Sequence, residues 1–600
     1  RHSTRVPRLS LHPTIATWFA TKGWAPRQHQ LDVLAAWERD ESALLIAPTG
    51  AGKTLAGFLP TLNDLTHTPR QGLHTLYISP LKALAVDVAR NLEVPIAEMH
   101  LPVTVETRTG DTPASRRTRQ RRNPPHILMT TPEQLALLLS HEDSARFFSG
   151  LKRIVLDELH SMVTNKRGEL LSLDIARLAT YAPGLRITAL SATVARPDLL
   201  RDWIAAPVPE ATTQLLFGKG GAKPDVSILA SGAHVPWAGH STLYAVPELY
   251  EIIKQHKTTL LFVNTRSQAE MLFQNLWAIN EDGLAIALHH GSLAVEQRRR
   301  VESAMVAGRL QAVVCTSTID LGIDWGDVDL VVQVGAPKGA SRMLQRIGRS
   351  NHRMDEPSKA IFVPSNRFEV LECEAALEAV ERGAQDSEDP SLGGLDVLAQ
   401  HTLGMACASP LDPVAFHDEG RRAWRYRDLS WESFERVLDF VATGGYALRA
   451  YERYAKLRKT PEGRFRIANP QVAQQYRLNV GTIVEDPMVK VRLVRSGGHK
   501  TGSATGPIGR YGRVLGELEE YFIDQLVRGD TFVFGSEIVA YEGMFETEAY
   551  VSRSNATDPK IPSYMGGKFP LSTYLADGVR RILSDPDAWQ KLPEQVADWL

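Results

Sequence analysis

The eight residues Ala47-Pro48-Thr49-Gly50-Ala51-Gly52-Lys53-Thr54 constrain the fold more than any other part of the chain. They follow the apolar run Ala43-Leu44-Leu45-Ile46 and precede Leu55-Ala56-Gly57-Phe58-Leu59, so a buried strand turns through small residues into a helix. A turn of this kind lets backbone N–H groups at Gly50, Ala51 and Gly52 point inward around a polyphosphate, while the opening helix adds the positive end of its dipole. The spacing then places Lys53 on the β- and γ-phosphates and the Thr54 hydroxyl on Mg²⁺, with Thr49 beside them. Ala47 stands where such loops usually begin with glycine.

At 600 residues, and roughly 150 per domain, about four domains are expected. The chain is 43% hydrophobic and 23% charged, as ordinary globular proteins are. No apolar run approaches the ~18 residues that span a bilayer, and no signal peptide opens the chain, which predicts a cytoplasmic protein without a membrane partner. Cys315, Cys373 and Cys407 lack metal-ligand spacing and make no disulfide framework. A net charge of −1 leaves nucleic acid open, since basic surface is easily confined to one groove. The chain starts at Arg1 and stops inside an amphipathic pattern, so both ends are expected to be cut.

Short β-rich runs recur after the loop, at Thr75-Leu76-Tyr77-Ile78, His126-Ile127-Leu128-Met129, Ile154-Val155-Leu156 and Ile187-Thr188-Ala189-Leu190. Their alternation with helical stretches predicts a parallel α/β sheet, whose ligands gather at the carboxyl ends of the strands. There stand Ser79-Pro80-Leu81-Lys82, Thr130-Thr131-Pro132-Glu133, Asp157-Glu158-Leu159-His160 and Ser191-Ala192-Thr193. Asp157 is expected to hold the metal and Glu158 to orient and deprotonate the attacking water. Gln30, shortly upstream of the loop, has the amide geometry that reads adenine, with Trp24 as a stacking partner. The run Arg116-Arg117-Thr118-Arg119-Gln120-Arg121-Arg122 reads either as backbone contact to nucleic acid or as a solvated helix face.

In this order the segments resemble superfamily 2 nucleic-acid motors of the DExH type. The resemblance implies two RecA-like domains with ATP and Mg²⁺ between them and a strand across both, contacted by Pro80 and Thr131. His160, Ser191 and Thr193 would couple nucleotide state to movement. A second set of strands does follow a low-periodicity stretch from Pro207 to Pro236, at residues 260–263, 284–288, 312–315, 330–333 and 360–363, without a second phosphate loop. A helix between Ser292 and Gly308 is expected to be capped by Ser292, with Arg298-Arg299-Arg300 on a solvated face. The resemblance puts Arg266, Gly291, Thr316 and Ser317 on the nucleic-acid backbone, and Gly322 and Asp324 near the nucleotide. The arginines of Gln345-Arg346-Ile347-Gly348-Arg349, read as a helix start, supply charge across the cleft: Arg349 as finger, Arg346 supporting it. His352 departs from the commonest pattern, which has arginine there. His289 and His290 read as packed or surface histidines, no acidic or cysteine cluster favouring zinc.

From residue 385 the composition marks a linker, followed by helical patterns and the run Arg464-Phe465-Arg466-Ile467, a small helical domain with a β-wing. Beyond Asn479 short alternating strands punctuated by glycine predict a β-rich module. Cys315 to Gly326, Gln345 to His352, Leu515-Gly516-Glu517-Leu518-Glu519-Glu520 and Ile561-Pro562-Ser563-Tyr564-Met565-Gly566-Gly567 together resemble the large helicase-related (Lhr) group, in the bacterial branch whose genes accompany a DNA ligase. The implied architecture is two tandem RecA-like domains (1–212 and 213–384), a winged helix (385–475) and a β-barrel-like module (476–600) truncated at its C-terminal side. The implied activity is an ATP-driven 3′-to-5′ single-stranded DNA translocase of the bacterial cytosol. It would unwind DNA duplexes and RNA:DNA hybrids in repair, in association with a ligase and repair nucleases. Tyr564 occupies the position of an aromatic that stacks on a base. The alternatives are an RNA-remodelling helicase and a nucleic-acid-binding scaffold regulated by ATP.

Overall fold

Seven parallel strands carry the phosphate loop. They are β1 (Ser42–Ile46), β2 (Thr75–Ile78), β3 (Val105–Arg108), β4 (Ile127–Thr130), β5 (Arg153–Leu156), β6 (Arg186–Ser191) and β7 (Thr213–Phe217), in the order β3-β4-β2-β5-β6-β1-β7. The inner strands are buried on both faces, which is why they read as continuous apolar runs. A second parallel sheet contains β8 (Asp225–Ile228), β9 (Thr259–Val263), β10 (Ile286–His289), β11 (Ala312–Cys315), β12 (Leu330–Val334) and β13 (Lys359–Val363), in the order β10-β11-β9-β12-β13-β8. The structure is a computed structural model, and it describes residues 11–48, 51–219, 222–229, 234–239, 241–319, 327–350, 357–383, 392–445, 448, 450, 454–480, 488–494, 512–545, 548–562 and 571–600.

The stretch from Pro207 to Pro236 corrects the sequence reading. It holds β7, which pairs with β1 at the edge of the first sheet, and β8, which pairs with β13 at the edge of the second. The first sheet therefore runs to Phe217, past the division expected after residue 212. Both are edge strands whose residues are half-buried or exposed, so neither shows the unbroken apolar run of a central strand.

The helices Leu395–Ala408, Pro413–Gly420, Trp431–Thr443 and Pro470–Leu478 surround a hairpin of β14 (Leu457–Lys459) and β15 (Phe465–Ile467), a winged-helix arrangement. The last sheet is mixed: β16 (Met488–Leu493), β17 (Arg513–Glu519), β18 (Thr531–Phe534), β19 (Glu537–Phe545) and β20 (Glu548–Arg553), ordered β17-β16-β20-β19-β18. Register shifts at Val491/Arg492 and Tyr541/Gly543 bend it, as bulges do, and it curls as a half-barrel around Val491, Leu515, Phe532, Phe534 and Val551. Residues 1–220 and 387–483 form one unit, residues 221–386 and 484–600 another. No helix among the described residues is long and apolar enough to cross a membrane.

Candidate active site

In the first sheet Ile46 lies beside Ser191, Ala189 beside Leu156, and Leu156 beside Ile78. Because all these strands are parallel, the segments after β1, β2, β5 and β6 emerge along one edge, which brings together the chemistry-bearing residues of the first half. Helix Lys53–His67 opens directly from the loop, with Gly52 at its N-cap in the left-handed region at φ 74°. Lys53 is buried, and its Nζ makes no hydrogen bond to any described residue. A buried ammonium without a partner is costly unless an anion meets it, so this cradle fits a polyphosphate. Thr49 and Gly50 lie outside the described residues.

Gln30 reaches the same loop. Its Oε1 accepts from the Arg27 backbone N–H at 2.8 Å, and its Nε2 donates to the Gly52 carbonyl at 3.3 Å. Trp24 is exposed, 58%, with its ring edge-on to Trp18. The neighbouring His29 escaped the sequence reading: Nε2 bonds the Ala51 carbonyl at 2.8 Å, and as that oxygen only accepts, Nε2 carries the proton. Burial holds the His29 pKa below its usual value.

Asp157 is buried, and each carboxylate oxygen is engaged. Oδ2 accepts from the Tyr77 hydroxyl at 2.6 Å and Oδ1 from the Glu158 N–H at 2.9 Å. Burial first, then the adjacent Glu158, pushes its pKa up to about 6; Tyr77 and Lys53 oppose the rise. Burial raises the Tyr77 phenol well above its usual value, so it remains a donor. Tyr77 is the second residue the sequence reading passed over, although a tyrosine inside an apolar strand needs a partner for its hydroxyl. Asp157 and the half-buried Thr54 are hard oxygen donors of the kind Mg²⁺ takes, with lone pairs remaining for it.

Glu158 adopts φ 49°, ψ 41°, a left-handed conformation that costs energy outside glycine and that recurs where function over-determines the backbone. His160 joins this acid to the end of β6. Its Nδ1 accepts from the Ala192 N–H at 3.3 Å and lies 3.1 Å from Ser191 Oγ, while Nε2 is 3.4 Å from Glu158 Oε2. Ser191 is buried and Thr193 exposed. Pro80, at the end of β2, and Thr131, at the N-cap of helix Pro132–Leu139, are both buried.

In the second unit, Arg266 opens helix Arg266–Ala278 and its Nη1 donates to Ser292 Oγ at 2.8 Å. Gly291 is exposed, Thr316 buried and Ser317 half-buried. Ser292 is not the expected cap: Ala294 stands at the N-cap of helix Val295–Val306 without a side-chain cap bond, and the Ser292 hydroxyl accepts from Arg266 instead. Arg299 and Arg300 are exposed, as a solvated face requires, whereas Arg298 is half-buried. His289 and His290 are packed, bonded to Glu302 at 3.0 Å and Glu270 at 2.8 Å.

The segment around Arg346 is a helix end, not a start. Helix Ala340–Ile347 closes at Gly348, placing Arg346 in its last turn and Arg349 just beyond. Arg346 is buried against its own lobe, with Nη1 donating to Gln333 Oε1 at 2.7 Å and its guanidinium 4.8 Å over the Phe262 ring. Arg349 is buried too, and its N–H donates to the Arg346 carbonyl at 3.0 Å. Gly322, Asp324, His352 and Tyr564 lie outside the described residues. On the basic run, Arg116 and Arg119 pair with Glu106 and Arg121 with Asp143, a paired helix face.

Residues 27–200 match the DEAD/DEAH box helicase family and residues 244–354 the helicase conserved C-terminal domain. With two RecA-like sheets and a phosphate loop in front of Asp157-Glu158, the chain is an ATP-dependent helicase of superfamily 2. Residues 378–561 match the winged helix domain of large helicase-related proteins. The chain is 32% identical to ATP-dependent helicase Lhr-Core protein 2 of Thermococcus barophilus, over 97% of this chain and 69% of that protein. It is 33% identical to ATP-dependent helicase Lhr-Core of Methanothermobacter thermautotrophicus, over 95% of this chain and 67% of the other. It belongs to the Lhr family. The structure of Mycobacterium smegmatis helicase Lhr bound to ssDNA and AMP-PNP superposes with a TM-score of 0.73 at 29% identity, covering 99% of this chain and 72% of that one.

Proposed function

We propose that this helicase translocates 3′ to 5′ on single-stranded DNA, driven by ATP hydrolysis at the carboxyl edge of the first sheet, and that it unwinds DNA duplexes and RNA:DNA hybrids during repair. The observation that carries the site is the buried, unbonded Lys53 ammonium beside a buried Asp157 and a strained Glu158. In this reading Thr49 to Thr54 cradle the phosphates, Lys53 neutralises the β- and γ-oxygens, and Gln30 reads adenine. Thr54 and Asp157 would hold Mg²⁺, which would supply Lewis-acid charge. Glu158 orients the attacking water and takes its proton. Its tie through His160 to Ser191 gives Ser191 and Thr193 a route by which hydrolysis is sensed at the neighbouring strand. Arg349 supplies transition-state charge, an effect of about 10³ to 10⁵ in rate for an arginine finger. Arg346 props the helix end from inside the lobe, and Gly322 and Asp324 complete the nucleotide contacts.

Pro80, Thr131, Arg266, Gly291, Thr316 and Ser317 are the proposed backbone contacts, with Tyr564 stacking on a base. The ssDNA of the Mycobacterium smegmatis complex supports a DNA track. Four domains are proposed, two RecA-like, a winged helix and the β-rich module, and the motif resemblance favours the bacterial ligase-associated branch and a cytosolic protein working with a ligase and repair nucleases. The test is Glu158→Gln. The variant should bind ATP as the parent does yet lose strand-stimulated hydrolysis by at least 10²-fold; unchanged turnover defeats the assignment. Unwinding of 3′-tailed against 5′-tailed duplexes, with DNA or RNA as the displaced strand, tests polarity and substrate.

A further inference from the structure

The loop between β10 and helix Val295–Val306, residues 290–294, carries Gly291, a proposed backbone contact, and Ser292, which holds Arg266. It is not anchored by its own lobe alone. Leu293 forms an antiparallel bridge to Gly516 of β17; the Ala294 N–H donates to the Leu515 carbonyl at 2.9 Å, and the Glu517 N–H to the Ser292 carbonyl at 2.8 Å. The loop is thus tied by a short bridge to β17, the edge strand of the C-terminal sheet.

Two further features fix this junction. A Cβ at Gly516 would lie 2.0 Å from the Ser292 carbonyl oxygen, so only glycine allows the backbones to meet at this spacing. Glu270, on the helix that Arg266 opens, is fully buried, and its Oε1 accepts from His290 Nε2 at 2.8 Å and from the Gly535 N–H at 3.0 Å. One carboxylate thereby ties the histidine that precedes Gly291 to the turn between β18 and β19. Gln297 Nε2 bonds the Gly535 carbonyl at 3.4 Å beside it. Burying a carboxylate is expensive, and this one is placed where the sheet and the loop share it.

We propose that the C-terminal sheet is a latch on the strand-gripping loop, making Gly516 and Glu270 positioning residues for the hold that Arg266 and Gly291 take on a nucleic-acid backbone. The inference rests on the proposed role of Arg266 and Gly291. Weakening the junction lets the loop drift, which lowers the capture of strand without touching the phosphate-binding residues of the first sheet. A role confined to folding would lower the melting temperature and spare strand affinity in whatever protein remains folded.

The experiment uses the full chain as Gly516→Ala, Glu270→Gln, Arg266→Ala and, as a surface control on the same sheet, Arg553→Ala. Strand-stimulated ATP hydrolysis is titrated with a thymidine DNA homopolymer, and binding of the same labelled homopolymer is measured with a non-hydrolysable ATP analogue. Gly516→Ala should raise the half-saturating strand concentration about tenfold, the loss of one or two hydrogen bonds, and Glu270→Gln should raise it several-fold. Turnover at saturating strand stays as in the parent, and Arg553→Ala changes neither quantity. Parental strand affinity in both junction variants, with weakened binding in Arg266→Ala, overturns the latch and leaves the grip standing. Parental affinity in Arg266→Ala overturns the grip itself. Should Gly516→Ala fail to fold, Glu270→Gln decides the matter alone.

Discussion

The phosphate loop of this chain begins with alanine where glycine is usual, and a glycine just past the end of β7 lies against that alanine. β7 runs beside β1 with Phe217 opposite Ile46, and the next residue, Gly218, donates its N–H to the Ile46 carbonyl at 2.8 Å. Gly218 therefore lies alongside Ala47. A Cβ on residue 218 would stand 2.6 Å from the Ala47 Cβ and 3.6 Å from Nδ1 of His29, the ring that holds the Ala51 carbonyl. Ordinary contact begins at 3.4 Å, so Gly218→Ala falls about 0.8 Å short of the space it needs. Neither methyl has a rotamer to swing away, and the backbone must absorb the difference. Overpacking of this size costs about 1–3 kcal/mol, and the displaced element is the loop itself. The expected result is a midpoint of urea unfolding lower by that energy and a KM for ATP about tenfold higher. Ala47→Gly removes the opposing methyl at a cost of about 0.5–1 kcal/mol in backbone entropy, and in the double variant the clash is gone. The double-mutant cycle should return a coupling of about 1–3 kcal/mol in favour of the pair. Strict additivity, with the double variant as impaired as the two singles summed, refutes the contact.

Tyr77→Phe leaves a buried oxygen of Asp157 without its donor, a loss of about 1.5–3 kcal/mol for a hydrogen bond to a charged group; we expect kcat to fall 10- to 100-fold with strand affinity unchanged, and a kcat within twofold of the parent dismisses the role. His141 is held down to about 4, chiefly by burial and then by Arg477, below the 6.5 expected of it unfolded. The unfolded chain thus binds a proton that the folded one refuses, stability is lost as the pH falls from 6.5 toward 4, and His141→Gln should flatten that slope in urea midpoints taken at pH 7 and pH 5.

Much of the candidate site's geometry was legible because a parallel sheet collects the ends of its strands on one edge, so motif order along the chain became proximity in space for Lys53, Asp157 and Ser191. Central strands declared themselves by apolar runs. β3, with Val-Glu-Thr-Arg, and the edge strands β7 and β8 did not, since a half-buried strand keeps polar residues. Backbone conformation was silent as well. Nothing in Asp157-Glu158-Leu159-His160 announces a left-handed glutamate, and nothing in Gln345-Arg346-Ile347-Gly348-Arg349 says that a helix ends there. Ser292 looked like a cap on composition, yet a hydroxyl bonds whichever donor the fold brings to it, here Arg266 from 26 residues upstream.

The deepest gap concerns helix Lys166–Tyr181, whose polar stripe of Lys166, Glu169, Arg177 and Thr180 has the look of a surface facing water. Instead the stripe is met by residues from the winged-helix region. Glu169 pairs with Arg425 at 3.0 Å, Arg177 with Glu419 at 2.8 Å, Lys166 with Asp396, and Thr180 donates to Glu419 at 2.7 Å. Asp174 and His401, both buried, lie 3.0 Å apart, and burial raises the acid's pKa while lowering that of the imidazole to about 3, so the charged form of each is disfavoured. Apolar contact accompanies this, for Leu173, Leu398, Phe416, Tyr426 and Phe434 belong to one core. The buried pairs, Glu169 with Arg425 and Arg177 with Glu419, add little to stability against a well-packed apolar interface, but each forfeits several kcal/mol when one partner is lost, whereas Lys166 and Asp396 meet in solvent. What the buried pairs specify is orientation, because a helix that slid by one residue would strand Glu169 and Arg177, and their partners Arg425 and Glu419, at once. Sequence periodicity measures the polarity of a face and not what covers it, which is why residues 387–483 join residues 1–220 in one unit although the second sheet separates them in the chain.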